Sequence, residues 1–167
     1  MENWIQNLFQ DPTLLKMGHA QRLDDLNLGL GWIYYGLVRL VKPTTIVAIG
    51  SWRGFAPLVL GKGMKDNLEE GKLIFIDPSM VDGFWKDAER VKKHFEQFEI
   101  TNIEHFCSTT QNFINTEAYR NLKEVQLLFV DGYHTRDQAK FDYEAFAHLI
   151  PEQGCILFHD STTAQVS

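Results

Sequence analysis

Acids and imidazoles in this chain fall at the ends of short apolar runs, where folding would gather them along one edge. Asp77 follows Lys72-Leu73-Ile74-Phe75-Ile76. Asp131 follows Val125-Gln126-Leu127-Leu128-Phe129-Val130, with His134 close behind, and His159-Asp160 follow Cys155-Ile156-Leu157-Phe158. If the runs ending at Asp131 and Asp160 are neighbouring strands, the two carboxylates lie within several ångströms of each other. Two such oxygens, with waters and substrate hydroxyls, are what Mg²⁺ accepts. His134 and His159 are placed to serve as general base for a substrate hydroxyl. The plainer readings are that Asp131 caps a turn with Gly132 and that Asp160 is merely exposed near the tail.

The second constellation is Gly50-Ser51-Trp52-Arg53-Gly54, directly after Thr45-Ile46-Val47-Ala48-Ile49. Gly50 permits a tight turn, and Gly54 lets backbone approach a ligand at a helix N-terminus. A dinucleotide fingerprint needs glycine at the third and sixth positions of such a loop. Trp52 and Phe55 stand there, so a pyrophosphate has no bare backbone to lie against and NAD is disfavoured. A phosphate-free ligand with an adenosine and a carboxylate fits better, and S-adenosylmethionine is one. Asp77 strengthens this reading, because an acid ending the second strand can accept both ribose hydroxyls of an adenosine. Its plainer role is a turn or cap residue ahead of Pro78.

The elements that must position these residues alternate. Leu26, Leu30, Ile33, Leu37 and Leu40 recur at helical spacing and predict a helix over 24–41, closed by Pro43, with Gly29 and Gly36 serving close helix-to-sheet packing. Strands are expected at 45–49, 72–76, 102–107, 125–130 and 155–158. Helices are expected at 55–66, around the stripe Phe84, Ala88, Val91, Phe95 and Phe98, at 110–118, and at 136–149 before Pro151. Near-continuous apolar strands separated by helices mean a parallel sheet covered on both faces. Right-handed crossovers make it doubly wound, with ligands outside the carboxyl ends of the strands.

The 167 residues suit a single domain over 1–167, with 1–23 as an apolar N-terminal extension. The net charge of −6 argues against nucleic acid or an anionic membrane surface as partner. Lys92-Lys93-His94 reads as a solvated helix face. No stretch is long and apolar enough to span a bilayer, and the N-terminus lacks a signal-peptide pattern. Cys107 and Cys155 read as buried free thiols of a reducing compartment, which points to the cytoplasm.

From Leu26 to Asp160 the chain resembles the class I S-adenosylmethionine-dependent methyltransferases. Within them it resembles the bacterial small-molecule and sugar O-methyltransferases of methyltransferase family 24. The resemblance is carried by the segment 46–54, by Phe75-Ile76-Asp77, by 128–134 (Leu-Phe-Val-Asp-Gly-Tyr-His) and by 149–160, which ends Phe158-His159-Asp160. It implies a Rossmann-like sheet of order 3-2-1-4-5. It further implies that Gly50, Ser51, Trp52 and Gly54 hold the methionine part, Asp77 the ribose, and Ser108 and Thr109 the adenine side. Asp131 borders the cofactor, with Asp131 and Asp160 holding Mg²⁺ where relatives use metal. The implied reaction is methyl transfer to a hydroxyl of a small-molecule acceptor, with His134, His159 and Asp131 at the reacting end.

Two departures stand out. Ala48 occupies the place of an acid that orients the loop in the family, and the family's C-terminal helix and antiparallel strands have no counterpart before Ser167. The alternative reading is a non-catalytic adenosine-binding or interaction module. Without those C-terminal strands, the strand 155–158 would be an open apolar edge. The expectation is that a second copy in a homodimer or the apolar N-terminal residues Trp4 to Leu15 cover it, or that the chain is a fragment.

Overall fold

The computed structural model describes residues 1–15, 19–67 and 70–160; the polar tail 161–167, expected to supply no further strands, lies outside them. Five strands form one parallel sheet: β1 (Thr45–Ile49), β2 (Lys72–Ile76), β3 (Ile103–Phe106), β4 (Leu127–Val130) and β5 (Cys155–Phe158). Their order is β3-β2-β1-β4-β5, so the chain leaves β1 for one edge and returns to β4 on its other side. This is the expected doubly wound Rossmann-like sheet.

The alternation of strand side chains splits the core in two. On one face Ile46, Ala48, Leu73, Phe75, Leu127 and Phe129 are packed by α1 (Glu2–Leu8), α2 (Gly31–Val41), α3 (Phe55–Asp66) and α4 (Ala88–Glu96). On the other, Val47, Ile49, Ile74, Ile76, Leu128 and Val130 meet Phe113 of α5 (Thr110–Phe113) and Phe146 of α7 (Arg136–Ala147). Between them α6 (Glu117–Arg120) bridges the return to β4. The stripe from Phe84 divides into a 3₁₀ turn, Phe84–Lys86, and α4, because Asp87 adopts extended backbone and caps α4 through Arg90 N–H.

Several expectations are corrected. The helix predicted from Asp24 begins only at Gly31. Leu26 takes a left-handed backbone, Arg22 and Asn27 form an antiparallel bridge, and Leu30 N–H donates to the His19 carbonyl at 2.7 Å. The leucine periodicity before Gly31 therefore reflects a folded turn packed on the core. At its other end α2 stops at Val41, with Lys42 left-handed in the cap position, just ahead of Pro43.

The glycine pair does not pack a helix against the sheet. Gly29 precedes α2 with φ +59°, and a Cβ there would sit 2.0 Å from the His19 carbonyl oxygen; Gly36 is exposed with open space around it. Cys107 is exposed and Cys155 only half-buried, both as free thiols. His94 is buried, unlike its neighbours Lys92 and Lys93. Helix α1 of the N-terminal segment packs elsewhere than on the β5 edge. Trp4 Nε1 donates to the Phe98 carbonyl (2.8 Å) and Asn7 Nδ2 to that of Gln97 (3.0 Å), fastening the segment to the turn that leads into β3. Phe158, at the end of β5, remains exposed.

The two glycines make a paired prediction. Gly29→Ala should destabilise the fold by about 2–4 kcal/mol, since it combines backbone strain with a clash. Gly36→Ala should stabilise it by about 0.5–1 kcal/mol, as in any exposed helix interior. Urea denaturation of both variants checks the contrast, and equal effects would contradict the account.

Candidate functional site

The carboxyl ends of the strands open into a cavity of about 630 Å³. Its wall begins at Gly50, whose φ is +71° and whose Cβ, if present, would stand 2.2 Å from the Asp131 carbonyl oxygen. Only glycine lets the chain leave β1 so close to the end of β4. The loop 50–54 is then held from every side. Gly50 N–H donates to the Ile76 carbonyl (2.8 Å), Ser51 N–H to Asp77 Oδ2 (3.2 Å) and Gly54 N–H to the Ser51 carbonyl (2.9 Å). The Trp52 carbonyl accepts from Trp85 Nε1 (3.1 Å), and the Arg53 carbonyl lies 2.7 Å from His94 Nε2.

His94 thus has a role that its basic neighbours concealed. It comes from α4, across the sheet face, and only its burial reveals it. Gly54 opens α3 with φ +81° and packs against the Trp85 ring, so close packing also explains this glycine. No side chain caps α3, and the amides of Phe55 and Ala56 have no acceptor among the described residues. The first turn of α3 therefore presents free N–H groups and the positive end of its dipole, as an anion-binding end does.

Asp77 ends β2 on the cavity wall. Burial raises its pKa above the ordinary carboxylate value, while the backbone N–H groups of Ser79 and Ser51 work in the opposite direction. Its Oδ1 accepts from Ser79 N–H at 2.7 Å, so the turn role is real, and the residue still borders the cavity. Ser108 and Thr109 line the cavity too, and Thr109 caps α5. Beside them stands Asp142 of α7, buried to 1% exposure, with Gln138 Nε2 donating to its Oδ1 at 2.7 Å. The sequence offered no signal for Asp142, which sits on a helix among other charged residues.

At the other end the expected acids and imidazoles come together. His159 Nδ1 lies 3.1 Å from Asp131 Oδ1 and 3.0 Å from Asp160 Oδ2, and His134 Nε2 is 3.4 Å from each carboxylate. Burial pushes the Asp131 pKa up, but His134 and His159 beside it outweigh that and hold it below the ordinary value. Asp131 in turn raises the pKa of both histidines. Asp131, His134 and Asp160 each offer one ligand atom, all within 4.8 Å of one another. His159 Nδ1 is buried between the two carboxylates. Two carboxylates and the His134 imidazole converging on one point fit a divalent cation. Ala48, by contrast, is wholly buried within β1 between Phe75 and Phe129 and touches no part of the cavity.

His19 also lines the cavity, carried there by a segment expected to be mere extension. Its ring stacks on Phe55 and stands 4.6 Å from that of His159. No spacing in the sequence marks it, since the turn 19–30 that delivers it is held by backbone bonds.

A glycine loop, an acid ending β2 on the cavity wall and an acidic far end, arranged on a 3-2-1-4-5 sheet, define the class of Rossmann-like methyltransferase folds. The sequence matches the family described as "Methyltransferase domain" over residues 47–161, and the chain belongs to that family. No curated protein matches it in sequence. Among solved structures it is similar to an O-methyltransferase from Bacillus cereus in complex with SAH (15% identity, TM-score 0.64, covering 90% of this chain and 63% of that one). It is also similar to the SAH-bound Podospora anserina methyltransferase PaMTH1 (18%, TM-score 0.63, 94% and 59%). A third is the O-methyltransferase TomG from Streptomyces achromogenes, involved in tomaymycin synthesis, in complex with SAM (15%, TM-score 0.59, 90% and 61%). The chain thus spans about three-fifths of the length of these structures. Among the described residues no helix is long and apolar enough to cross a membrane.

The buried histidines make a pH prediction. Burial lowers His19 and His105 from 6.5 to about 4. For a folded pKa below the unfolded one, the unfolded chain binds its proton first. Stability is then whole above pH 6.5 and falls as the pH drops towards about 4. Urea denaturation across that window should show the decline, less steep in His105→Phe; a flat profile would contradict it.

Proposed function

We infer that this protein transfers a methyl group from S-adenosylmethionine to a hydroxyl of a small acceptor. The observation that carries this reading is the single cavity edge that joins the α3 N-terminus, Asp77 and the Asp131–His134–His159–Asp160 cluster. The free amides of the first α3 turn bind the carboxylate of the methionine part, together with Gly50, Ser51, Trp52 and Gly54 around it. Asp77 accepts from the ribose hydroxyls, and the Ser108–Thr109 side, with Gln138 and Asp142, encloses the adenine. Bound there, S-adenosylmethionine supplies a methyl carbon on a positive sulfonium.

The negative charge of Asp131 and Asp160 suits both that sulfonium and a hydroxyl giving up its proton. His134 or His159 takes the proton as general base; the new bond joins oxygen to methyl carbon and the carbon–sulfur bond breaks. Catalysis rests on holding the reactants in line and on electrostatics, with no covalent intermediate on the protein. A divalent cation such as Mg²⁺, held by Asp131 and Asp160 with His134 alongside, would lower the pKa of an acceptor hydroxyl.

Calorimetric titration with S-adenosylmethionine and S-adenosylhomocysteine, with and without Mg²⁺, tests the reading. Binding should weaken at least about tenfold in Asp77→Ala, the loss expected when a charged hydrogen-bond partner is removed. Turnover of a panel of uncharged hydroxylated acceptors should collapse in Asp131→Ala, by far more than any loss of affinity for S-adenosylhomocysteine, which lacks the sulfonium charge. Absence of binding by the unaltered protein would end the proposal.

The half-buried strand β5, with Phe158 exposed at its end, supports pairing with a second copy in a homodimer. Sedimentation velocity should find a dimer that Phe158→Lys weakens; a monomer at all concentrations would refute it.

A further inference from the structure

His19 has no part in the scheme above, yet its setting is too constrained for a surface residue. It is 2% exposed while lining the cavity. Leu30 N–H holds its carbonyl, the ring stacks on Phe55 at 4.7 Å and 28°, and the His159 ring lies 4.6 Å away on the reacting side. Its Nδ1 is 3.1 Å from the hydroxyl of Tyr34, a buried residue of α2 packed edge-on against Phe129.

That contact decides where the imidazole proton sits. Among the described residues the Tyr34 hydroxyl has no other partner. A buried O–H needs an acceptor, and the Nδ1 lone pair is the one within reach. Tyr34 therefore donates to Nδ1, and the proton of the neutral ring is on Nε2, at the opposite corner. Burial lowers the pKa of His19 to about 4, so the ring stays neutral beside two carboxylates. Asp131 and Asp160 can only accept hydrogen bonds, which makes them poor hosts for the lone pair of an incoming oxygen. His134 and His159 are drawn towards those same carboxylates. A neutral N–H donor is the complement this end of the cavity requires.

We propose that His19 is a specificity-determining residue of the acceptor site, with Nε2–H donating to the oxygen to be methylated and Tyr34 fixing that donor. One lone pair of the oxygen is held by His19, its hydrogen faces the carboxylate side, and the other lone pair is free to meet the methyl carbon. Since the donor is uncharged and the cluster acidic, the site takes an uncharged hydroxyl compound and rejects phosphorylated or carboxylated ones. This assignment rests on the methyltransferase reading.

The test has a part that needs no acceptor. Long-range ¹H–¹⁵N spectra of histidine-labelled protein with S-adenosylhomocysteine should show His19 as the Nε2–H tautomer at neutral pH, and Tyr34→Phe should mix the tautomers. An Nδ1–H tautomer in the unaltered protein overturns the proposal. With the best acceptor of the uncharged panel, His19→Leu should lower kcat/KM about tenfold, the worth of one hydrogen bond, and His19→Gln should recover part of it. S-adenosylhomocysteine affinity should be unchanged in both variants. An unchanged kcat/KM, or a parallel loss of S-adenosylhomocysteine affinity showing a structural role, would sink the assignment. Failure of the unaltered protein to bind S-adenosylhomocysteine would instead remove the methyltransferase reading, while the tautomer result stood by itself.

Discussion

The rest of the molecule depends on how closely β1 and β4 end beside each other. Gly50 lies against the Asp131 carbonyl with no room for a side chain, and that approach is possible only in the left-handed backbone that glycine tolerates. The order of the sheet reverses at this point, so the crossovers on either side diverge and leave a cavity between them. The loop 50–54 turns outward from that contact, α3 starts where it ends, and Asp131 faces the opening. A wider separation here would move the first α3 turn away from Asp77 and the acidic end away from both.

Around that contact the protein uses burial to assign charge. Asp131 is kept ionised by His134 and His159, and those histidines are raised in return, so the three form one electrostatic unit. His19 lies against the same unit but loses more by burial than it gains from the carboxylates, and stays neutral. One end of the cavity therefore holds anions, imidazoles drawn towards cations, and a neutral imidazole within a few ångströms. Such a mixture lets a proton leave one group and settle on another without large charge being created in an apolar setting.

Much of the frame was legible in the sequence. Strands at 45–49, 72–76 and 155–158 and the helix 55–66 follow directly from apolar runs punctuated by Gly50, Asp77-Pro78 and Gly154, because a strand buried on both faces needs such runs. The acids at strand ends were readable for the same reason, since a parallel sheet brings all its carboxyl ends to one edge. The turn before α2 is not legible in the sequence, because Leu26, Leu28 and Leu30 pack on the core beside a bridge of Arg22 and Asn27, and hydrophobic spacing does not distinguish that from a helix. The role of His94 is hidden in the sequence because its neighbours Lys92 and Lys93 are solvated, whereas it points inward to the Arg53 carbonyl.

The sequence by itself determined the parallel α/β sheet, its glycine turn and the acidic character of its working edge, since these follow from local pattern and from the rules that join strands through helices. Only the tertiary structure decided which groups share that edge at bonding distance. His19 reaches it through a turn held by the Leu30–His19 bond, with Tyr34 of α2 behind its ring, Asp142 through a helix on the other face, and His94 through α4. Those approaches join residues far apart in the chain. Packing of whole elements sets them, and no short-range pattern records it.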